Sequence, residues 1–146
     1  EIRSGIFNFK FSIFKKKRYR TLGGEEIFLS YENEGKLLAL LRLRLPDREE
    51  KMLFKELEGA AIVREIHSYG EVVGLENSKT QSAGWRIENS NKTQHKGLGK
   101  RLMEEAEKVA VKKGYKKMAV ISAIGTREYY KKIGDTQEGL YMTKVL

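Results

Sequence analysis

The chain has 146 residues, enough for one domain with a sizeable core, and its 40% hydrophobic and 34% charged content fits a folded domain with a heavily charged surface. Twenty-nine Lys and Arg against 20 Asp and Glu leave a net charge of +9, which points to a polyanionic partner, either nucleic acid or an anionic cofactor. There is no cysteine, the only imidazoles (His67 and His95) have no metal-motif spacing, and no run is long enough to span a membrane, so the expectation is a metal-free, cytoplasmic domain without disulfides.

Residues 1–24 read as a leading segment. Ile6 to Ile13 roughly alternates, as a strand does, and Lys15-Lys16-Lys17-Arg18-Tyr19-Arg20 is a basic run with one aromatic. Lys15, Lys16, Lys17 and Arg18 are candidate contacts to nucleic-acid phosphates, with Tyr19 suited to stack on a base; a solvated loop is the plainer reading. Glu26 to Tyr31 reads as a strand, Glu32 to Gly35 as a turn and Lys36 to Leu45 as the return strand, ended by Pro46. The second half of that return strand alternates apolar residues with Arg42 and Arg44, so one face is solvated or meets an anion. Residues 48–58 suit a short helix or a polar loop, and Ala60 to His67 a further strand with an irregular extension to Val73. Residues 76–93 are a long polar loop around the lone Trp85.

Gln94-His95-Lys96-Gly97-Leu98-Gly99 then opens an amphipathic helix from Leu98 to Lys113. Its two glycines let backbone N–H groups approach a ligand closely, and a helix start favours anions. Lys100 and Arg101 occupy the first turn, where Asp or Glu is usual; beside a bound polyphosphate these cations are well placed. A P-loop is excluded because Arg101 follows Gly99-Lys100, and a dinucleotide fingerprint because Leu102 stands where a third glycine belongs. Leu98, Leu102, Met103, Ala106, Val109 and Ala110 share one helix face, Glu104 and Lys108 form an i,i+4 pair, and Gly114 stops the helix. Met118 to Ile121 reads as a strand covered on both faces, which completes a βαβ unit with parallel strands. Thr126 is placed to cap a short helix holding Tyr129 and Tyr130 and closed by Gly134, and residues 139–146 suit a final strand.

The Gln-x-x-Gly-x-Gly loop resembles the pyrophosphate loop of the acetyl-CoA-dependent GNAT N-acetyltransferases. A longer set of strings narrows the resemblance. Phe28-Leu29-Ser30-Tyr31-Glu32, Leu41-Arg42-Leu43-Arg44, Ile62 to Gly70, Leu102 to Glu107, Val120-Ile121-Ser122 and Gly125 to Gly134 are similar to the C-terminal acetyltransferase domain of the catalytic subunit of Elongator. The resemblance implies an α/β (α+β) fold of GNAT type: one domain over 1–146, with a mixed central sheet, flanking helices and a splayed parallel strand pair. That family joins this domain to a radical SAM domain and installs a carboxymethyl-type group on C5 of the wobble uridine of tRNA. The implied cofactor is acetyl-CoA. S-adenosylmethionine and an iron–sulfur cluster belong to the radical SAM domain, whose cysteine motif is not in this sequence, so the chain resembles an excised C-terminal domain. Implied partners are tRNA, that radical SAM domain and Elongator-like subunits, with no membrane. Three positions depart from the family pattern: Asp135 and Leu140 stand where an aromatic and a proline are common, and Gly74-Leu75 replaces a Pro-Val pair.

By the same resemblance, the backbone of Glu65, Ile66, His67 and Ser68 lines the acetyl-pantetheine arm. Gln94, Lys96, Gly97, Leu98, Gly99 and Lys100 wrap the pyrophosphate. Tyr130 lies near the CoA sulfur, where it protonates the leaving thiolate or orients the thioester. One of Tyr129 and Tyr130 belongs to the core, since adjacent helical residues point apart. Glu65 and His67 share a strand face and are candidates for a general base; a structural hydrogen bond between them is equally compatible. Two other functions compete: a protein lysine acetyltransferase, and a basic tRNA-binding module with an inert acetyl-CoA site.

Overall fold

A computed structural model describes residues 12–69, 97–122 and 126–146. The strand expected to start at Ile6, the 76–93 loop and Gln94, His95 and Lys96 lie outside the described residues. Seven strands form one mixed sheet: β1 (Ile13–Thr21), β2 (Gly24–Asn33), β3 (Lys36–Pro46), β4 (Ala61–Ser68), β5 (Lys117–Ile121), β6 (Thr136–Glu138) and β7 (Tyr141–Val145). Their order is β1-β2-β3-β4-β5-β7-β6, and only β4 and β5 are parallel among the described residues. Helix α1 (Leu98–Lys112) lies between β4 and β5 in sequence, and α2 (Arg127–Lys132) follows β5.

The basic run is not a loop. It is the body of β1, paired with β2 from Ile13↔Glu32 to Thr21↔Gly24, and it forms one edge of the sheet. The β2–β3 turn is Glu34-Gly35, both with positive φ (48° and 74°), which gives the twist a tight hairpin needs. The 48–58 segment carries one short 3-10 turn, Lys55–Leu57. The expected final strand is a hairpin of β6 and β7.

One face of the sheet is covered by α1. Leu41, Leu43 and Leu45 of β3 and Ala61, Val63 and Ile66 of β4 pack in one cluster with Leu98, Leu102, Met103, Ala106, Val109 and Ala110. Burying a large apolar side chain of this kind stabilises by about 1.5–3 kcal/mol, so this seam sets where α1 lies. On the opposite face Leu57, Ala60, Ile62 and Ala119 form a second cluster with Met52 and Tyr141, and Phe54 tilts onto Tyr141 at 5.7 Å.

Both helices end in the same device. The N–H of Tyr115 bonds the carbonyl of Ala110 (3.0 Å) and that of Gly114 bonds Val111 (3.0 Å), with Gly114 at φ 89°. In α2 the N–H of Asp135 bonds Tyr130 (2.9 Å) and that of Gly134 bonds Lys131 (3.2 Å), with Gly134 at φ 101°. Two local expectations are corrected. Thr126 is the N-cap of α2, yet its side chain makes no capping hydrogen bond because its backbone is already helical (φ −104°, ψ −6°). Lys108 pairs with Glu105 at 2.8 Å, one turn back at i−3, rather than with Glu104. Gly114→Ala places a Cβ on a left-handed backbone and is expected to lower stability by about 1–2 kcal/mol, read as a fall in the urea midpoint at unchanged m-value.

Candidate functional site

The site is created where β5 leaves β4. The parallel pairing runs Ala61↔Met118, Ile62↔Ala119 and Val63↔Val120, and then stops. A bulge in β4 explains the departure. On the β3 side the register steps from Leu43↔Val63 to Arg42↔Glu65, so Arg64 is an extra residue. Such an insertion bends and over-twists the strand that carries it. Beyond Val63, β4 keeps β3 as a neighbour as far as Ser68 and has no strand on its other side among the described residues. Ile121, at the end of β5, is accordingly 54% exposed, although the apolar run Met118 to Ile121 suggests cover on both faces.

Helix α1 brings its start to this opening. At its C-terminal end Lys113 pairs with Glu25 (3.3 Å) and the Tyr115 hydroxyl donates to the carbonyl of Pro46, so that end lies over the beginning of β4. Toward its N-terminal end, Arg101, Glu104, Glu105 and Lys108 act electrostatically on Tyr31, which neighbours Ala39 and, through it, Ser68. Gly97 is the N-cap, in the left-handed region at φ 104°, with no side-chain cap, and a Cβ built there meets nothing within 4 Å. Arg101 makes the first helical hydrogen bond, back to Gly97 at 3.0 Å. The N–H groups of Leu98, Gly99 and Lys100 precede that bond and have no partner within the helix, as at any helix start. No acidic residue stands in the first turn, Gly99 is buried, and Lys100 and Arg101 are exposed. The arrangement can hold an anion at the mouth of the strand gap, the usual ligand position on α/β sheets. A cavity of about 310 Å³ beside Lys113 and Tyr115 lies at the other end of the helix.

The four β4 residues singled out from sequence, Glu65, Ile66, His67 and Ser68, all fall beyond Val63, on the stretch that pairs with β3 and has left β5. Ile66 is a core side chain. Glu65 accepts a hydrogen bond from Arg42 Nη1 at 3.2 Å, and its other oxygen lies 2.9 Å from His67 Nε2. The His67 ring stacks on Tyr69 at 6.1 Å and 26°. Arg44 and Arg64 share Glu26, at 3.4 and 2.7 Å. The alternating arginines of β3 therefore meet carboxylates of neighbouring strands. Arg42, Arg64 and Tyr69 stand in the strings quoted above without an assigned role; for Arg42 the signal that supplies one is cross-strand register, which pairs it with Glu65.

Tyr130 is the core member of the tyrosine pair: it is 3% exposed and clusters with Met118, Val120 and Met142, while Tyr129 meets it edge-on at 5.3 Å. Burial, with lesser contributions from Tyr129 and Asp135, pushes the Tyr130 phenol above its ordinary value, so it is held neutral. Tyr130 belongs to the α1 side of the sheet and Glu65 lies on the other. Among the described residues no cluster of His, Cys, Asp and Glu is arranged to hold a metal, and no helix is long and apolar enough to cross a membrane.

Asp135 is the outlier of this region. It is 6% exposed, its Oδ1 has no hydrogen-bond partner, and burial raises its carboxyl to about 6, opposed by Lys144 and reinforced by Glu107. The folded state therefore holds a proton that the unfolded chain releases. The resulting stabilisation is full below the ordinary carboxylate value of 3.8 and is lost as pH rises through about 6. Asp135→Asn keeps the shape without the charge. The stability of the variant relative to wild type is expected to grow between pH 4 and pH 7 by up to about 3 kcal/mol, measured by urea unfolding across that range.

Comparison with known proteins accords with this geometry. The acetyltransferase (GNAT) family matches residues 3–134. Elongator complex protein 3 of Mus musculus is 45% identical over 134 residues, covering 90% of this chain and 22% of that protein. A protein of Methanocaldococcus jannaschii named tRNA uridine(34) acetyltransferase is 41% identical over 135 residues, with 90% and 23% covered. This chain thus spans under a quarter of the length of these relatives. Among solved structures, the archaeal Elp3 of Methanocaldococcus infernus superposes with a TM-score of 0.73 at 37% identity over 94% of this chain and 30% of that one. The PaiA N-acetyltransferase of Thermoplasma acidophilum, solved with coenzyme A, shares the fold at a TM-score of 0.50 and 20% identity, with 83% and 61% covered. With its one parallel strand pair parting beside a glycine-led helix start, the chain belongs to the acetyltransferase (GNAT) family.

Proposed function

We propose that this chain binds acetyl-CoA and serves as the acetyl-CoA-handling domain of a tRNA wobble-uridine modifying enzyme, hydrolysing the thioester in support of a carboxymethyl-type modification at C5. The observation that carries the reading is that the parallel pairing of β4 with β5 ends at Val63, on the side of the sheet covered by the helix that Gly97-Leu98-Gly99 opens. Backbone donors of Leu98, Gly99 and Lys100, with Gln94 and Lys96, take the diphosphate. The acetyl-pantetheine arm runs along the backbone of β4 from Glu65 to Ser68. Tyr130, held neutral, serves the sulfur end of the thioester. The chemistry on the uridine carbon, with its S-adenosylmethionine and iron–sulfur cluster, belongs to a radical SAM domain that a longer protein would supply.

Acetyl-CoA is expected to raise Tm by several degrees at a concentration well above Kd, since it binds only the folded chain. Lys100→Glu, at an exposed position that leaves the core untouched, is expected to weaken binding at least tenfold by calorimetry, and Gly99→Val to abolish the shift. An unchanged Tm at millimolar acetyl-CoA refutes the reading. Acetyl transfer to histone-tail peptides without any response to tRNA turns it toward a lysine acetyltransferase.

The tRNA surface we assign to β1. Lys15 is engaged by Glu32 at 2.6 Å and Arg20 by Asp47 at 2.8 Å, so Lys16, Lys17 and Arg18 are the cations left to meet phosphates, with half-exposed Tyr19 between them and Arg20. Charge reversal of Lys16, Lys17 and Arg18 together is expected to flatten the dependence of log K on log salt by about two to three units in a tRNA titration. An unaltered slope clears β1 of the role.

A further inference from the structure

The row Arg42, Glu65, His67 and Tyr69 contains more order than a solvated strand face requires. The Glu65 carboxylate is spoken for on both sides: Oε2 accepts from Arg42 Nη1 at 3.2 Å, and Oε1 faces His67 Nε2 at 2.9 Å. The bulge at Arg64 sets Glu65 directly across from Arg42. His67 is held from its other flank by the near-parallel ring of Tyr69, yet its side chain stays 44% exposed. Glu65 and His67 lie on the stretch of β4 that β5 has left, with Arg42 across from them on β3 and Tyr69 just past the end of β4.

A carboxylate anchored by a guanidinium and turned toward an imidazole favours the tautomer whose proton sits on the near nitrogen. Here that nitrogen is Nε2, which leaves the Nδ1 lone pair for a reactant. The logic is that of a base oriented by a third group, read from geometry rather than from sequence order.

We infer that His67 is the general base that activates water for thioester hydrolysis, that Glu65 and Arg42 are positioning residues behind it, and that Glu65 is not itself the base. The inference rests on the acetyl-CoA reading above. In the step, a water gives a proton to His67 Nδ1 as its oxygen bonds to the thioester carbonyl carbon. The tetrahedral adduct collapses with cleavage of the C–S bond. The imidazolium returns its proton to the departing thiolate. Acetic acid and free CoA are the products, and no oxidant or reductant is consumed. Tyr69 keeps the ring plane fixed while the proton moves.

The test measures two things on the same chain: acetyl-CoA affinity by calorimetry, and CoA thiol release in the presence of bulk tRNA. His67→Gln is expected to lower kcat by about 10²–10⁴-fold while Kd stays within about twofold. Arg42→Met and Glu65→Gln are expected to lower kcat by a smaller factor, of order ten, with Arg42→Lys restoring part of the loss. The acid limb of the wild-type pH–rate profile should vanish in His67→Gln, a change that a merely structural role does not produce. A wild-type rate in His67→Gln, a larger loss in Glu65→Gln than in His67→Gln, or tight acetyl-CoA binding by wild type without thiol release each overturns the inference. Failure of wild type to bind acetyl-CoA at all is a different result and overturns the functional reading instead.

Discussion

The parting of β4 from β5 is the constraint on which the rest depends. These two parallel strands pair for three residues, from Ala61↔Met118 to Val63↔Val120, and beyond Val63 β4 keeps only β3 as a neighbour among the described strands. The single-residue bulge at Arg64 fixes where this happens. It sets Glu65 across from Arg42, and the pairing with β5 ends just before it. Without this extra residue each following β4 side chain would turn to the other face.

Packing then holds the opening in register with the helix. Leu98, Leu102, Met103, Ala106, Val109 and Ala110 bind α1 to β3 and β4, and Gly114 ends it against Tyr115 and Pro46. Because the helix is anchored by its apolar face and its far end, its first turn is free to be unusual. Gly97 and Gly99 forgo side-chain capping, and Lys100 and Arg101 sit against the dipole.

Most of this frame is legible in the residues. The α1 stripe, the Gly114 and Gly134 stops and the β4–α1–β5 unit follow from spacing and punctuation. What is hidden has physical reasons. Six charged or aromatic residues in a row mask the two faces of β1, whose existence depends on pairing with β2. The strand β6 is Thr-Gln-Glu, exposed throughout, and carries no period. Arg42 reads as half of an amphipathic pattern until register sets it beside Glu65. Asp135 reads as a surface residue after a glycine, whereas the helix-closing hydrogen bond of its N–H to Tyr130 draws it inside. In the site, the strand residues and the glycines are visible in sequence, and the relation between Glu65, His67 and Tyr130, set by which side of the sheet each occupies, is not.

Strand β1 is a long open edge, nine residues with one flank of the backbone unpaired among the described strands. An edge of that length invites another copy to add on, and a crowd of lysines is a common safeguard against it. Here the safeguard is mutual repulsion, so it holds only while those cations stay bare. A polyanion that coats them silences the repulsion without covering the backbone, and two coated edges can then zip together. The solubility of the chain should accordingly pass through a minimum as polyphosphate is added, falling near charge balance and recovering in excess.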